Sequence, residues 1–165
     1  MKRTFFSLAL LLAVATLTAQ TKMTAREAAV KIADRILAST TYEFKNTKTG
    51  EIYKSVKKLP LDMDVKVACK YNNWHYTNGV TNMALMELGD KLGDKKYEKY
   101  VLKNMNFVFN EGNLDFFRKQ YDEAFKRDGW NAVRKLSWHM IFRGKRLDDN
   151  GPMGASLIEL QLKYP

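Results

Sequence analysis

The chain has 165 residues, with 28 Lys and Arg against 18 Asp and Glu, one cysteine, nine glycines and three prolines. With 45% hydrophobic and 12% aromatic residues, that balance excludes a disordered chain, a collagen, a disulfide-stapled mini-protein and a multi-pass membrane protein. The formal charge of +10 invites a nucleic-acid reading, but the lysines are dispersed among Glu43, Glu51, Asp62 and Asp64, and no RRM, KH or helix-turn-helix signature is present.

Met1 to Gln20 carries two cations, an apolar run from Phe5 to Leu17, and then the small residues Thr18 and Ala19. This is the pattern of a secretory signal peptide, too short in its apolar run for a spanning helix. Cleavage after Ala19 removes Lys2 and Arg3 and leaves 146 residues at a formal charge of +8. The expected domains are therefore a signal peptide, 1–19, and a mature chain, 20–165, that is periplasmic or secreted and free of the membrane after cleavage. Cys69 has no intrachain partner, so the fold rests on its core, and among Val65, Val67 and Ala68 it reads as a small buried hydrophobe.

Thr24 followed by Glu27 forms a capping box, and Ala29, Ile32, Ala33, Ile36 and Leu37 keep helical spacing, which predicts a helix from about Ala25 to Ala38. Ser39 to Asn73 has no sustained period. It reads as a long loop with a short hairpin around Gly50 and a break at Lys58-Leu59-Pro60. The helical period returns from Thr77 to Leu92, stops at Gly93-Asp94, and resumes from Lys95 to Phe109, so these two helices form an antiparallel hairpin. After a turn at 110–113, Leu114 to Phe125 predicts a helix with Phe116, Phe117, Tyr121 and Phe125 on its apolar face. Trp130 to Phe142 is ambiguous, and Asp149-Asn150-Gly151-Pro152 opens a last helix with proline in its first turn. No segment alternates convincingly with period two, so the fold class is all-α.

The chain also matches itself at an offset of 72 residues. Asn78-Gly79 falls on Asn150-Gly151, Leu85 on Leu157, Glu87-Leu88 on Glu159-Leu160 and Lys91 on Lys163. Both copies share Asn-Gly at the helix start and Leu-x-Glu-Leu two turns in, the mark of stacked helical units such as solenoids and toroids.

Three stretches carry a family likeness: Trp74-His75-Tyr76-Thr77-Asn78-Gly79-Val80, Leu92-Gly93-Asp94-Lys95-Lys96-Tyr97, and Leu147-Asp148-Asp149-Asn150-Gly151-Pro152-Met153-Gly154. They resemble, respectively, the W-x-Y-x-x-G-V opening of an inner helix, the T-G-D-x-x-Y turn between inner and outer helices, and the L-D-x-x-x-x-x-G opening of the next inner helix in the unsaturated glycuronyl and rhamnogalacturonyl hydrolases, glycoside hydrolase families 88 and 105. The resemblance implies the N-terminal, incomplete part of an (α/α)6 toroid. It also implies a pectin-degradation chemistry in which the C4=C5 double bond of an acidic unsaturated oligosaccharide is hydrated and the sugar beyond it is released. Carried across, Asp148 is the functional aspartate of the L-D motif, Asp149 lies beside it in the substrate site, and Trp74 and Tyr76 line the saccharide pocket. The family's second aspartate belongs to a W-x-D motif that is not among these residues, and Trp138-His139-Met140 does not replace it. The resemblance thus predicts a truncated chain, inactive alone and self-associating through an exposed cut face.

From the residues alone, an N-cap is the commoner role for Asp148 or Asp149 before Asn-Gly-Pro, and Trp74 and Tyr76 read also as core residues. His75 and His139 are too isolated for a metal site, and neither metal nor cofactor is expected. The competing reading is a secreted, non-catalytic helical domain that binds carbohydrate or protein; nucleic acid is not expected as a partner.

Overall fold

A computed structural model describes residues 23–145 and 147–165. The signal peptide expected over 1–19 lies outside the described residues. Among the described residues, the chain divides into two units at the boundary between Ile32 and Ala33. Helix makes up 68% of the structure and strand 6%, which places it in the mostly helical class expected from periodicity.

Helix α1 (Ala25–Ser39) opens on the capping box. The Thr24 N–H donates to Glu27 Oε2 at 2.8 Å and the Glu27 N–H to Thr24 Oγ1 at 3.2 Å, so two backbone donors without helical partners are satisfied reciprocally. The expected apolar stripe is only partly used: Ala33, Ile36 and Leu37 belong to the core, whereas Ile32 is exposed.

The 39–73 segment is more structured than its sequence suggests. It holds β1 (Phe44–Asn46), β2 (Ile52–Tyr53) and β3 (Val65–Val67) in an antiparallel sheet of order β2-β1-β3, with Phe44 opposite both Tyr53 and Val67. The hairpin around Gly50 is present. Asn46 Oδ1 accepts the N–H groups of Lys48 and Thr49, and Gly50 takes φ 78°, a left-handed conformation that a Cβ would oppose. Phe44 points inward onto Phe107, Phe116 and Phe117, so the sheet packs on the helices through one buried ring.

Helices α2 (Tyr76–Leu92) and α3 (Lys96–Phe109) form the expected hairpin. Gly93 caps α2 at φ 66°, and the Asp94 N–H returns to the Gly89 carbonyl at 3.0 Å, closing the turn. Lys96 Nζ and the Tyr97 hydroxyl both reach Asp34 Oδ1 at 2.9 Å, joining α3 to α1. Those two contacts, Lys96 first, hold the Asp34 carboxyl below its ordinary value.

Helix α4 (Glu111–Val133) starts three residues earlier than expected, because Asn110 acts as an N-cap and its Oδ1 accepts from the N–H groups of Gly112 and Asn113. Its axis breaks at Asp128 and Gly129, whose dihedrals are not helical. The expected apolar face is also revised, since Phe125 is exposed while Phe116 and Phe117 are buried. The ambiguous 130–142 stretch completes α4, turns through 134–138 and forms the short α5 (His139–Arg143).

Helix α6 (Leu147–Lys163) begins before the expected Asp149, so Pro152 lies inside it. As the sixth residue of the helix, proline lacks the N–H that would bond the Asp148 carbonyl and crowds that carbonyl, so its position is not the cost-free one expected. The most extensive helix pairing is α2 with α6. Trp74 meets Asn150, Gly79 meets Pro152 and Met153, and Asp90 meets Lys163, so both helices run in the same direction at an offset close to that of the sequence repeat.

Candidate functional site

The approach to α2, the 134–138 turn and the start of α6 converge at one end of the α2–α6 pair. Trp74 Nε1 donates to Asn150 Oδ1 at 2.7 Å, and the Trp74 ring lies 5.9 Å from the rings of both Trp138 and Phe109. Asn73 Oδ1 accepts the Trp138 N–H at 3.1 Å. Asn78, buried in the first turn of α2, donates from Nδ2 to the carbonyls of Lys70 (2.8 Å) and Asn73 (2.7 Å). Three asparagines therefore lock this corner: Asn73 and Asn78 fix the approach to α2, and Asn150 binds α6 to it.

Trp138 holds φ 66°, the one non-glycine residue with positive φ among those described, and is 1% exposed. A bulky residue in this region costs of order 1–3 kcal/mol and persists only where its surroundings fix it. Here they do so through the Asn73 bond and through the Phe117 ring, stacked at 5.6 Å.

The residues singled out from sequence divide between surface and core. Tyr76, first residue of α2, is 47% exposed and its ring lies 4.7 Å from that of His75. His75 is the N-cap, its Nδ1 accepting from the Thr77 N–H at 3.4 Å. Trp74 is 6% exposed, so its ring is packed and offers little face to solvent. Asp148 is exposed and is the second residue of α6, in the first turn rather than before it, where a carboxylate is favoured by the helix dipole. Asp149 follows in the same turn; its side chain lies outside the described structure. The parallel packing of α2 and α6 brings Trp74, Tyr76 and Asp148 to the same end. From Tyr76 an exposed apolar stripe continues along α2 through Val80 and Met83.

Sequence reasoning missed Trp138 and Asn73 as parts of this corner. Neither carried a signal: a left-handed tryptophan is indistinguishable in sequence from any other, and Asn73 looked like a loop residue. Asn150 did carry one, as half of the repeated Asn-Gly pair. No group of three or more His, Cys, Asp or Glu side chains placed to hold a metal occurs among the described residues, and no described helix is long and apolar enough to cross a membrane. Searches against protein-family models, curated proteins and solved structures find no match to this chain.

Proposed function

We propose that the chain is part of an (α/α)6 toroid of the unsaturated glycuronyl hydrolase kind, exported from the cytoplasm and acting on acidic unsaturated oligosaccharides. The observation that carries this reading is the parallel α2–α6 pair. Two helices matched by a sequence repeat lie side by side with their starts together, as successive inner helices of a toroid do, and the residues of both motifs meet through the Trp74–Asn150 hydrogen bond. Two further features support it. Gly79 lies directly against the Pro152 backbone, while its repeat counterpart Gly151 has nothing within 4 Å, as expected of an inner helix whose next neighbour would pack there. Leu147, Ile158 and Leu162 leave a second exposed apolar set on α6.

In this reading Asp148, with Asp149 beside it, faces the sugar, and Tyr76 supplies an aromatic edge. A carboxylic acid protonates C4 of the vinyl ether, water adds at C5, and the hemiketal opens to expel the neighbouring sugar. Because the family's W-x-D aspartate is not among these residues, binding without turnover is the expected behaviour of the chain alone. The test is calorimetric titration with a lyase-generated unsaturated disaccharide, with its saturated counterpart as control and ultraviolet absorbance of the double bond as the turnover readout. Preference for the unsaturated sugar, weakened in Asp148→Asn, supports the reading; equal binding of both sugars, or of neither, refutes it.

The burial of Trp74 favours a second reading, a non-catalytic helical binding domain in which this tryptophan is core. That reading predicts sugar or protein binding indifferent to Asp148→Asn.

A further inference from the structure

Away from the α2–α6 corner, a cleft of about 720 Å³ lies between the β1–β2 hairpin with its following turn and the junction of α3 and α4. Lys54, Lys57 and Lys103 line it, together with Glu111, Tyr42 and Asn106. It shares no residue with the Trp74, Tyr76 and Asp148 set. Among the described lining residues Glu111 alone is anionic, and none of the three lysines makes an ion pair with a described residue.

The framework sets the backbone that carries Lys54 and Lys57 and places the Lys103 ammonium. The Lys57 N–H donates to Ser55 Oγ at 3.1 Å, capping the single 3-10 turn Val56–Lys58 and setting the backbone between Lys54 and Lys57. Lys103 Nζ lies 4.2 Å from the centre of the Tyr42 ring, and the Tyr42 hydroxyl donates to Asn104 Oδ1 at 2.9 Å, so the ring under this cation is itself anchored. At the base, Gly112 sits against Val56, with a Cβ position 3.4 Å from Val56 Cγ2, which brings the start of α4 up to the turn. The N–H groups of Gly112 and Asn113 are already taken by Asn110, so recognition here falls to the side chains.

The geometry points to this cleft as a binding site for a carboxylate-bearing oligosaccharide. Three lysines, Lys54 beside the 3-10 turn, Lys57 within it and Lys103 on α3, suit a chain that repeats its charge at intervals, and the Asn106 amide suits its hydroxyls. Nucleic acid fits less well. The Tyr42 ring already carries Lys103 over it, and among the described lining residues no arginine is present to grip a phosphate in two-pronged fashion. The inference does not depend on turnover at the other corner.

The test is titration of the full chain with a galacturonic acid trimer, followed by calorimetry, with a neutral glucose trimer and a short oligothymidylate as controls. The expected result is binding that falls with added salt, weakens by about tenfold or more in Lys54→Ala/Lys57→Ala/Lys103→Ala, and tightens in Glu111→Gln. Glu111→Gln is a gain that misfolding cannot mimic. Unchanged affinity in the triple variant, equal binding of the neutral trimer, or tighter binding of the oligothymidylate overturns the assignment. So does weakening in Asp148→Asn, which moves the ligand to the α2–α6 corner; unchanged binding there keeps it in the cleft.

Discussion

Gly79→Ala tests the packing of α2 on α6 directly. A Cβ added at Gly79 would lie 2.4 Å from the Pro152 carbonyl carbon, 2.5 Å from the Met153 nitrogen and 2.7 Å from the Pro152 oxygen. All three are backbone atoms, which cannot rotate away as a side chain could. Ordinary carbon contacts begin near about 3.5 Å, so the two helices must part locally by about 1 Å. Overpacking of this kind costs about 1–3 kcal/mol, and a strained Trp74–Asn150 hydrogen bond adds about 1 kcal/mol. Against that, alanine is a better helix former than glycine by about 0.8–1.0 kcal/mol. The net expectation is a loss of about 1–3 kcal/mol, which for a chain of this length lowers Tm by about 2–12 °C. Gly154→Ala is the matched control. It lies in α6 with nothing within 4 Å of its Cβ position, so only the propensity gain remains and Tm rises slightly. Thermal unfolding followed by circular dichroism reads both. A Gly79→Ala protein as stable as wild type, beside a stabilised Gly154→Ala, would refute the close parallel contact.

Other substitutions probe the remaining joints. Trp74→Phe replaces the indole by a smaller ring and removes the donor to Asn150; the lost bond alone costs about 1–2 kcal/mol and the vacated volume adds to it, amide hydrogen exchange rises in the first turns of α6, and unchanged exchange there contradicts the lock. Gln120, 1% exposed, donates from Nε2 to the carbonyls of Asp62 at 2.6 Å and Val65 at 2.9 Å. Gln120→Leu removes both bonds and should lower the denaturant midpoint by the equivalent of about 2–4 kcal/mol. The Glu98 carboxyl is held below its ordinary value, first by the Tyr164 hydroxyl and then by Lys163. A depressed folded-state value means its contribution is present above the unfolded value and is lost as pH falls through the folded one. The stability difference between wild type and Glu98→Gln is therefore expected at pH 7, should begin to shrink as pH falls through the ordinary glutamate value of about 4.3, and should vanish only below the depressed folded-state value; a difference that widens in acid contradicts the sign.

The sequence was legible where one signal acted within a few residues. Thr24 and Glu27, the 3.6-residue stripes of α2 and α3, and Gly93 each act locally, so their elements appear close to where they were expected. It was illegible where distant segments decide. β3 is only three residues long and pairs with a strand about twenty residues upstream, so it shows too little alternation to register. Asn110 to Asn113 looks like a loop by composition, yet the same asparagine and glycine make a competent cap and first turn once Val56 packs beside them. Ile32 and Phe125 lie on helical stripes and are still exposed, because periodicity reports a face without reporting what covers it.

The candidate corner shows the same division at finer scale. Both copies of the repeat carry Asn-Gly, and sequence alone assigns them the same job. In the structure they do different things: Asn78 ties its own approach loop, whereas Asn150 reaches across to Trp74. Gly79 gives α6 a flat surface to approach, while Gly151 meets nothing within 4 Å. A repeat therefore specifies the shape of a unit, and the neighbour specifies which of its shared residues is used. That is how Trp74, the aromatic expected to line a saccharide pocket, comes to be half of the joint between two helices. The exposed Tyr76 and Asp148 are left as the groups a ligand at this end could reach first.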